Sequence, residues 1–150
     1  MTGTFSQGRL ATITGTNPAA NTEVTETVPT GERWKIRAFS VVLVTDANAA
    51  NRTVNLFIDN GAVTGRKRIY TDATAQTATT TRTHAWLRGN EAYDVASDSV
   101  SDTQTVLVKL CLDDDIILEA GDRIRATTAS IQAGDDYAAP IFEVEQWQDR

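Results

Sequence analysis

The chain contains one histidine, His84, and one cysteine, Cys111. Any Ser-His-Asp or Cys-His device must therefore be built on that one imidazole, the group that moves protons near neutral pH and activates a hydroxyl or thiol. His84 lies in Thr81-Arg82-Thr83-His84-Ala85-Trp86, with no adjacent acid, and the sequence has no Gly-x-Ser-x-Gly elbow. This context favours a surface or interface histidine. Cys111 sits in the run Val106-Leu107-Val108-Lys109-Leu110-Cys111-Leu112, where a small buried hydrophobe accounts for it. A lone cysteine closes no disulfide within the chain, so burial and strand pairing must hold the fold. A histidine-rich metal site fails on ligand count.

The carboxylates offer more. Asp113-Asp114-Asp115 and Gly134-Asp135-Asp136 are the densest clusters, and hard cations such as calcium take several oxygen ligands. Neither follows the Asp-x-Asp-x-Asp-Gly spacing of an EF-hand loop, and acidic turns between strands are more often solvated. Glu143 and Glu145 fall on one face of a C-terminal strand, the placement a glycosidase pair would need; two acids at i and i+2 more often form a solvated face. No Gly-rich phosphate loop is present. The expectation is a protein without catalytic activity, cofactor or essential metal.

Charge narrows the partners. A formal net charge of -6 and a pI near 4.7 argue against duplex DNA and anionic membranes, both of which select clustered Lys and Arg. The one basic run, Arg66-Lys67-Arg68, opens a strand and reads as a solvated edge that discourages edge-to-edge pairing. Met1 to Ser6 lack the basic start and apolar stretch of a signal peptide, and no segment reaches membrane-span length. The expected site of synthesis is the cytosol.

The elements that must position these side chains are strands. At 150 residues one domain is expected. Met1 to Thr22 are rich in Thr, Gly, Ala and Asn and predict an extended arm over 1-22 that orders only against another surface, ahead of a β domain over 23-150. Trp34, Ile36 and Ala38 share one face, after which Phe39, Val41 and Leu43 carry the apolar series in the other phase. A β-bulge near Ala38 or Phe39 reconciles the two. Val54, Leu56 and Ile58 are the inner positions of the next strand, Asp59-Asn60-Gly61 ends it as a hairpin, and Arg68-Ile69-Tyr70-Thr71 returns. The Thr/Ala-rich stretch from Asp72 to Thr83 suits a strand or a surface loop equally. Thr103 to Leu112 is the clearest strand of the second half, and Asp122 to Thr128 with Ala139 to Trp147 close the domain. Two turns share one design, Val28-Pro29-Thr30-Gly31-Glu32-Arg33 and Leu118-Glu119-Ala120-Gly121-Asp122-Arg123, and both read as hairpin turns. The fold class is all-β: an antiparallel β-sandwich, with a jelly roll as the first topology.

Residues Thr27-Val28-Pro29-Thr30-Gly31-Glu32-Arg33-Trp34-Lys35-Ile36, followed by Val41-Val42-Leu43-Val44-Thr45, resemble the Val-Pro-x-Gly-x-x-Trp/Tyr-x-Ile opening of small tailed-bacteriophage virion proteins. Ala120-Gly121-Asp122-Arg123-Ile124 is similar to a Gly-Asp hairpin of jelly-roll proteins, cupins included, although the histidine pairs of a cupin are missing. The resemblance spans Val28 to Trp147 and implies a capsid decoration or cement protein, often trimeric, on the capsid surface of the virion. The implied partners are the major capsid protein and further copies of the chain. A carbohydrate- or receptor-binding β-sandwich of a phage tail tip, or another tail or neck component, is the competing reading. Among the aromatics, Trp34 reads as packing. The candidate interface residues are Phe5, Arg9, Leu10 and Ile13 of the arm, with Trp86, Tyr137 and Trp147.

Overall fold

Alternating apolar and polar side chains, rich in Thr and Val, commit this chain to strands. The computed structural model describes residues 8–61, 66–71, 75–88, 93–96, 105–112 and 116–148, and of 66–71, 87–88, 93–96 and 105–112 it describes the backbone alone. No helix occurs among the described residues. The strands form two sheets. The larger runs in the order β1 (Arg9–Thr14), β12 (Ile141–Gln148), β3 (Glu32–Val44), β6 (Thr81–Arg88), β8 (Thr105–Leu112) and β7 (Tyr93–Ala96), with the short β9 (Ile117–Leu118) and β11 (Asp136–Tyr137) both on β3. The smaller has the order β2 (Thr25–Thr27), β10 (Arg123–Ala129), β4 (Thr53–Asp59) and β5 (Arg66–Thr71).

The long strand β3 is the beam of the larger sheet. It buries Trp34, Ile36, Phe39, Val41 and Leu43, the two-phase series expected from sequence. Glu143 faces Ala38 while Val144 faces Ile36, so Arg37 is the extra residue of a bulge that swings its own side chain out to solvent. The smaller sheet supplies Val54, Leu56, Ile58, Ile124 and Ala126 to the same core. Aromatic rings fill its centre: Phe39 lies 5.0 Å from Phe142 and 5.3 Å from Trp86, centroid to centroid. Burial of each such side chain contributes about 1.5–3 kcal/mol.

Several expectations change. Among the described residues all pairs are antiparallel except β6 with β8, which run parallel from Thr81 opposite Thr105 to Arg88 opposite Leu112. A parallel neighbour and sheets of unequal size depart from the two matched antiparallel sheets of a jelly roll. Of the 1-22 segment, the described residues 8–22 do not leave the domain as an arm: Arg9–Thr14 is an edge strand in register with β12, Gly15 N–H donates to the Pro140 carbonyl, and Asn21 N–H donates to the Asp135 carbonyl; residues 1–7 fall outside the described residues. Short polar side chains suit a half-covered edge strand, which needs only Ala11 and Ile13 against the core. β4 and β5 do form a hairpin beyond Asn60-Gly61, but Asp59 faces Arg66, so the connection is longer than a two-residue turn. Of the ambiguous Thr/Ala stretch, Gln76 makes an isolated bridge to Arg52 and β6 begins at Thr81; residues 72–74 fall outside the described residues, as do Asp113-Asp114-Asp115.

The matched glycine turns are not hairpins. Gly31 lies between β2 of the smaller sheet and β3 of the larger, and Gly121 lies between β9 of the larger and β10 of the smaller, so each turns the chain from one sheet to the other. Glu32 N–H closes the first turn on the Pro29 carbonyl and Asp122 N–H closes the second on Glu119. In both the glycine is the third residue, at φ 80° and 88°, the conformation a type II turn demands. The two corners lock together: Val28 N–H donates to the Asp122 carbonyl at 2.9 Å and Gly121 N–H to the Val28 carbonyl at 3.0 Å. An added Cβ would meet nothing at either glycine, so the cost of substitution is backbone strain alone. Gly31→Ala and Gly121→Ala are each expected to lower the unfolding free energy by about 1–2 kcal/mol, measured as a shift of the urea midpoint at unchanged slope.

Candidate functional site

The densest polar chemistry lies where β3 ends and β4 begins. Extending the inner positions Ile58, Leu56 and Val54 back by two places Arg52 inside, and its side chain is fully buried. A buried guanidinium requires an acceptor for each N–H, and Arg52 has them all. Nε and Nη2 donate to the two oxygens of Asp135, both at 2.9 Å. Nη2 also reaches Asp46 Oδ1 at 2.7 Å, and Nη1 donates to the Asn48 and Ala50 carbonyls. Asp135 further accepts the backbone N–H groups of Asp46 and Gln132. Burial pushes the Asp135 carboxyl up, but Arg52 and the two backbone donors outweigh it and hold it below the ordinary value of 3.8. The calcium reading of Asp135 therefore fails, because its oxygens already face donors; Asp136 points to solvent.

His84 is fully buried, against the expectation of a surface or interface position. It follows the inner parity of Trp86, and their rings stack at 6.3 Å. Gln76 donates through Nε2 to the Leu43 and Thr80 carbonyls, so its Oε1 must accept from His84 Nε2, 3.0 Å away. That bond places a proton on Nε2. The imidazole thus serves the fold as a hydrogen-bond donor through Nε2.

Two further acids are absorbed by structure. Asp59, buried, accepts Arg123 Nε and Arg125 Nε, each at 2.9 Å, and Gly61 N–H. Its carboxyl lies below the ordinary range because these donors overcome the upward push of burial. Glu23 accepts Thr128 N–H at 2.6 Å, and the Thr128 hydroxyl bonds the Tyr137 hydroxyl. Burial raises the Glu23 carboxyl despite the Thr128 bonds, and raises the Tyr137 hydroxyl as well.

The candidate interface residues divide. Trp86 and Tyr137 are core residues, 0 % and 1 % exposed, and leave the interface set: both lie at inner positions that a count of aromatics does not reveal. Ile13 packs partly buried on the core. Arg9 and Leu10 are exposed, Leu10 at 68 %. Trp147 is half-buried; a Cβ at Gly8 would come within 2.8 Å of its ring and 2.6 Å of the Glu145 side chain, so the chain passes close beneath the indole there. Phe5 falls outside the described residues. Glu143 is exposed, and Glu145 accepts Arg37 Nη2 at 3.0 Å. Among the described residues no group of three His, Cys, Asp or Glu side chains could hold a metal ion.

The outer face of the larger sheet has two halves that sequence reading missed. Around Arg33, Lys35, Arg37, Glu143 and Glu145 it is charged. Beyond Ala38 it presents Ser40, Val42, Val44, Ile141, Thr81 and Thr83, uncharged side chains set side by side by the strand registers, with the exposed Asp136 at the rim beside Val44; Ile141 and Val44 are 45 % and 44 % exposed. The signal was available in the Val41-Val42-Leu43-Val44 run, where apolar side chains occupy both faces.

Comparison with protein-family models, with curated proteins and with solved structures finds no match.

Removing the buried cation exposes what it holds. Arg52→Ala leaves Asp135 and Asp46 facing each other without a counter-charge and is expected to cost about 3–5 kcal/mol, read by thermal or denaturant unfolding. Asp59 and Asp135 are depressed in the folded chain, so the unfolded chain binds more protons near and below pH 3.8. Their contribution is present above that value and is lost as pH falls through the folded values. Glu23, raised in the folded chain, opposes this trend above pH 4.5. The melting temperature should fall as pH drops below 4, and the fall should be shallower in Asp135→Asn.

Proposed function

We propose that the chain is a non-enzymatic structural protein of a tailed-phage virion that binds the assembled head as a decoration or cement subunit, with the major capsid protein and copies of itself as partners. The observation that carries this reading is the uncharged half-face of the larger sheet. Its side chains are small and uncharged, from Ser40, Val42 and Val44 across to Thr83 and Ile141, which suits docking on a broad protein surface better than capture of a small molecule. The buried His84, Arg52, Asp59 and Asp135 point the same way, because each is engaged by internal partners. A protein that binds the closed shell and not its free subunits stabilises the shell by mass action.

The carbohydrate-binding alternative calls for exposed, coplanar aromatic rings. Trp34, Trp86 and Tyr137 are buried, Trp147 lies over Gly8, and Phe57 is half-buried with Arg125 above its ring at 5.9 Å. Among the described side chains that distribution favours the head-decoration reading over a tail-tip lectin.

Deleting residues 1-22 would strip β1 from the sheet, so a cleaner test alters the face itself. The double variant Val44→Lys, Ile141→Lys is expected to keep its melting temperature within a few degrees, since both residues are largely exposed, and to lose at least about tenfold in affinity for assembled heads in a co-sedimentation assay. Equal binding by variant and wild type, or wild-type binding to isolated tails or to a glycan array in place of heads, overturns the proposal.

A further inference from the structure

Each sheet of a sandwich ends in two edges, and every edge is a row of unmet N–H and C=O groups that must be blunted or paired. Among the described residues three of the four edges are blunted. β2 is three residues long and runs into Val28-Pro29. β5 carries Arg66-Lys67-Arg68, and its pairing with β4 shifts register after Ile58. β7 is four residues long and shifts register against β8. β1 has no such device: its six residues run in unbroken register with β12, contain neither Pro nor Lys, and place one charge, Arg9, at the end.

The direction of its free groups follows from Gly15, whose N–H donates to the Pro140 carbonyl at 2.8 Å. Bonded and non-bonded positions alternate along an antiparallel pair. Ile13 and Ala11 therefore also bond β12, and Leu10, Thr12 and Thr14 turn their N–H and C=O groups to the open side.

We propose that β1 pairs antiparallel with β1 of a second copy, about a twofold axis through Thr12, so that the two larger sheets become one. Thr12 then meets the partner's Thr12 and Leu10 meets the partner's Thr14, and each facing pair exchanges two hydrogen bonds. On the inner side Ala11 faces the partner's Ile13, continuing the apolar seam that already packs on the core. On the outer side the exposed Leu10 joins the partner's Thr14 and the partner's Ile141 in one row.

Charge selects this register. Arg9, on the inner side, comes opposite the partner's Gly15. A Cβ built on Gly15 would stand 2.7 Å from Glu26 Oε2, so the Glu26 carboxylate lies beside that position, where it also accepts the Thr16 N–H at 2.9 Å. Among the described residues neither Arg9 nor Glu26 makes an ion pair within its own chain. The twofold axis joins them twice. A slip of two residues sets Arg9 opposite the partner's Ile13 or the partner's Asn17 and loses both pairs. The contact makes dimers, not the trimer that the phage resemblance implies, and it stands whether or not the protein sits on a shell.

Sedimentation equilibrium of the full chain is expected to show a monomer–dimer equilibrium. Thr12→Pro removes an outward N–H that only the dimer uses, and should raise the dimer dissociation constant at least about tenfold while leaving the melting temperature of the monomer unchanged. Arg9→Glu and Glu26→Arg should each weaken self-association. An equimolar mixture of those two variants should restore it, because every cross-contact then brings opposite charges together. A wild-type chain that is only monomeric or is trimeric, or a mixture that associates no better than either variant alone, overturns the proposal. The charge-swap pair decides the matter should Thr12→Pro fail to fold.

Discussion

Arg52 is the charge around which one end of this molecule is organised. A guanidinium without solvent is tolerable only if every N–H finds an oxygen, and the five acceptors come from separate stretches: Asp46, Asn48 and Ala50 before β4, and Asp135 in the loop before β11. Its backbone adds another tether, since Arg52 and Gln76 exchange N–H to C=O bonds at 2.9 and 2.8 Å. Fixing Gln76 orients its amide toward Leu43, Thr80 and His84. The proton position of the imidazole is thus set by a chain of bonds that starts at the arginine. The same placement puts Val54, Leu56 and Ile58 on the inner face, because the period-two pattern leaves no other side once Arg52 points inward.

The opposite end combines backbone corners with charge, since Arg33 Nε meets Glu119 Oε2 at 2.8 Å and Asp59 holds Arg123 and Arg125. There Gly31 and Gly121 turn the chain between the sheets, and each corner supplies the hydrogen bonds the other lacks. β3 spans the distance between this pair of corners and the Arg52 cluster. Its bulge at Arg37 lets one strand present Trp34 and Ile36 in one phase and Phe39, Val41 and Leu43 in the next, so a single beam buries apolar side chains along its whole length. Straightening it would turn one of the two sets to solvent.

Alternation along the chain revealed β3, β4, β8, β10 and β12, the phase change in β3 and the inner residues of β4, because those depend on neighbours within a few positions, whereas the polar edge strand β1 read as an arm. It also contained Arg52 and His84, each of which continues an inner series: Arg52 before Val54, and His84 before Trp86. What hid them was residue type. A lone arginine beside Asn51 reads as loop, and its partners lie 6 and 83 residues away along the chain. Trp86 and Tyr137 were misplaced for the same reason, since aromatics near loops suit a rim or a core equally until the strand phase is counted. The sheet-switching corners and the parallel β6–β8 pair were illegible because a Gly turn has the same local chemistry whether the next strand pairs beside the last or crosses to the other sheet.

The same constraints tie the described buried polar groups into the framework of the fold. Its imidazole and its buried carboxylates hold strands and loops in place, so altering them for chemistry would loosen the framework that positions them. The surfaces are free of that burden. The uncharged half-face spreads over β12, β3 and β6, whereas the β1 edge presents backbone groups in the plane of the sheet, at right angles to that face. Pairing through an edge consumes N–H and C=O groups and leaves a flat face uncovered, so self-association along β1 would double the uncharged surface on one side of the joined sheet. Two half-faces related by a twofold axis bind a repeating protein lattice more tightly than one, because the second contact forms at the high effective concentration set by the first. If the protein pairs through β1 and docks through the face, the edge and the face are complementary, one assembling the protein and the other presenting it.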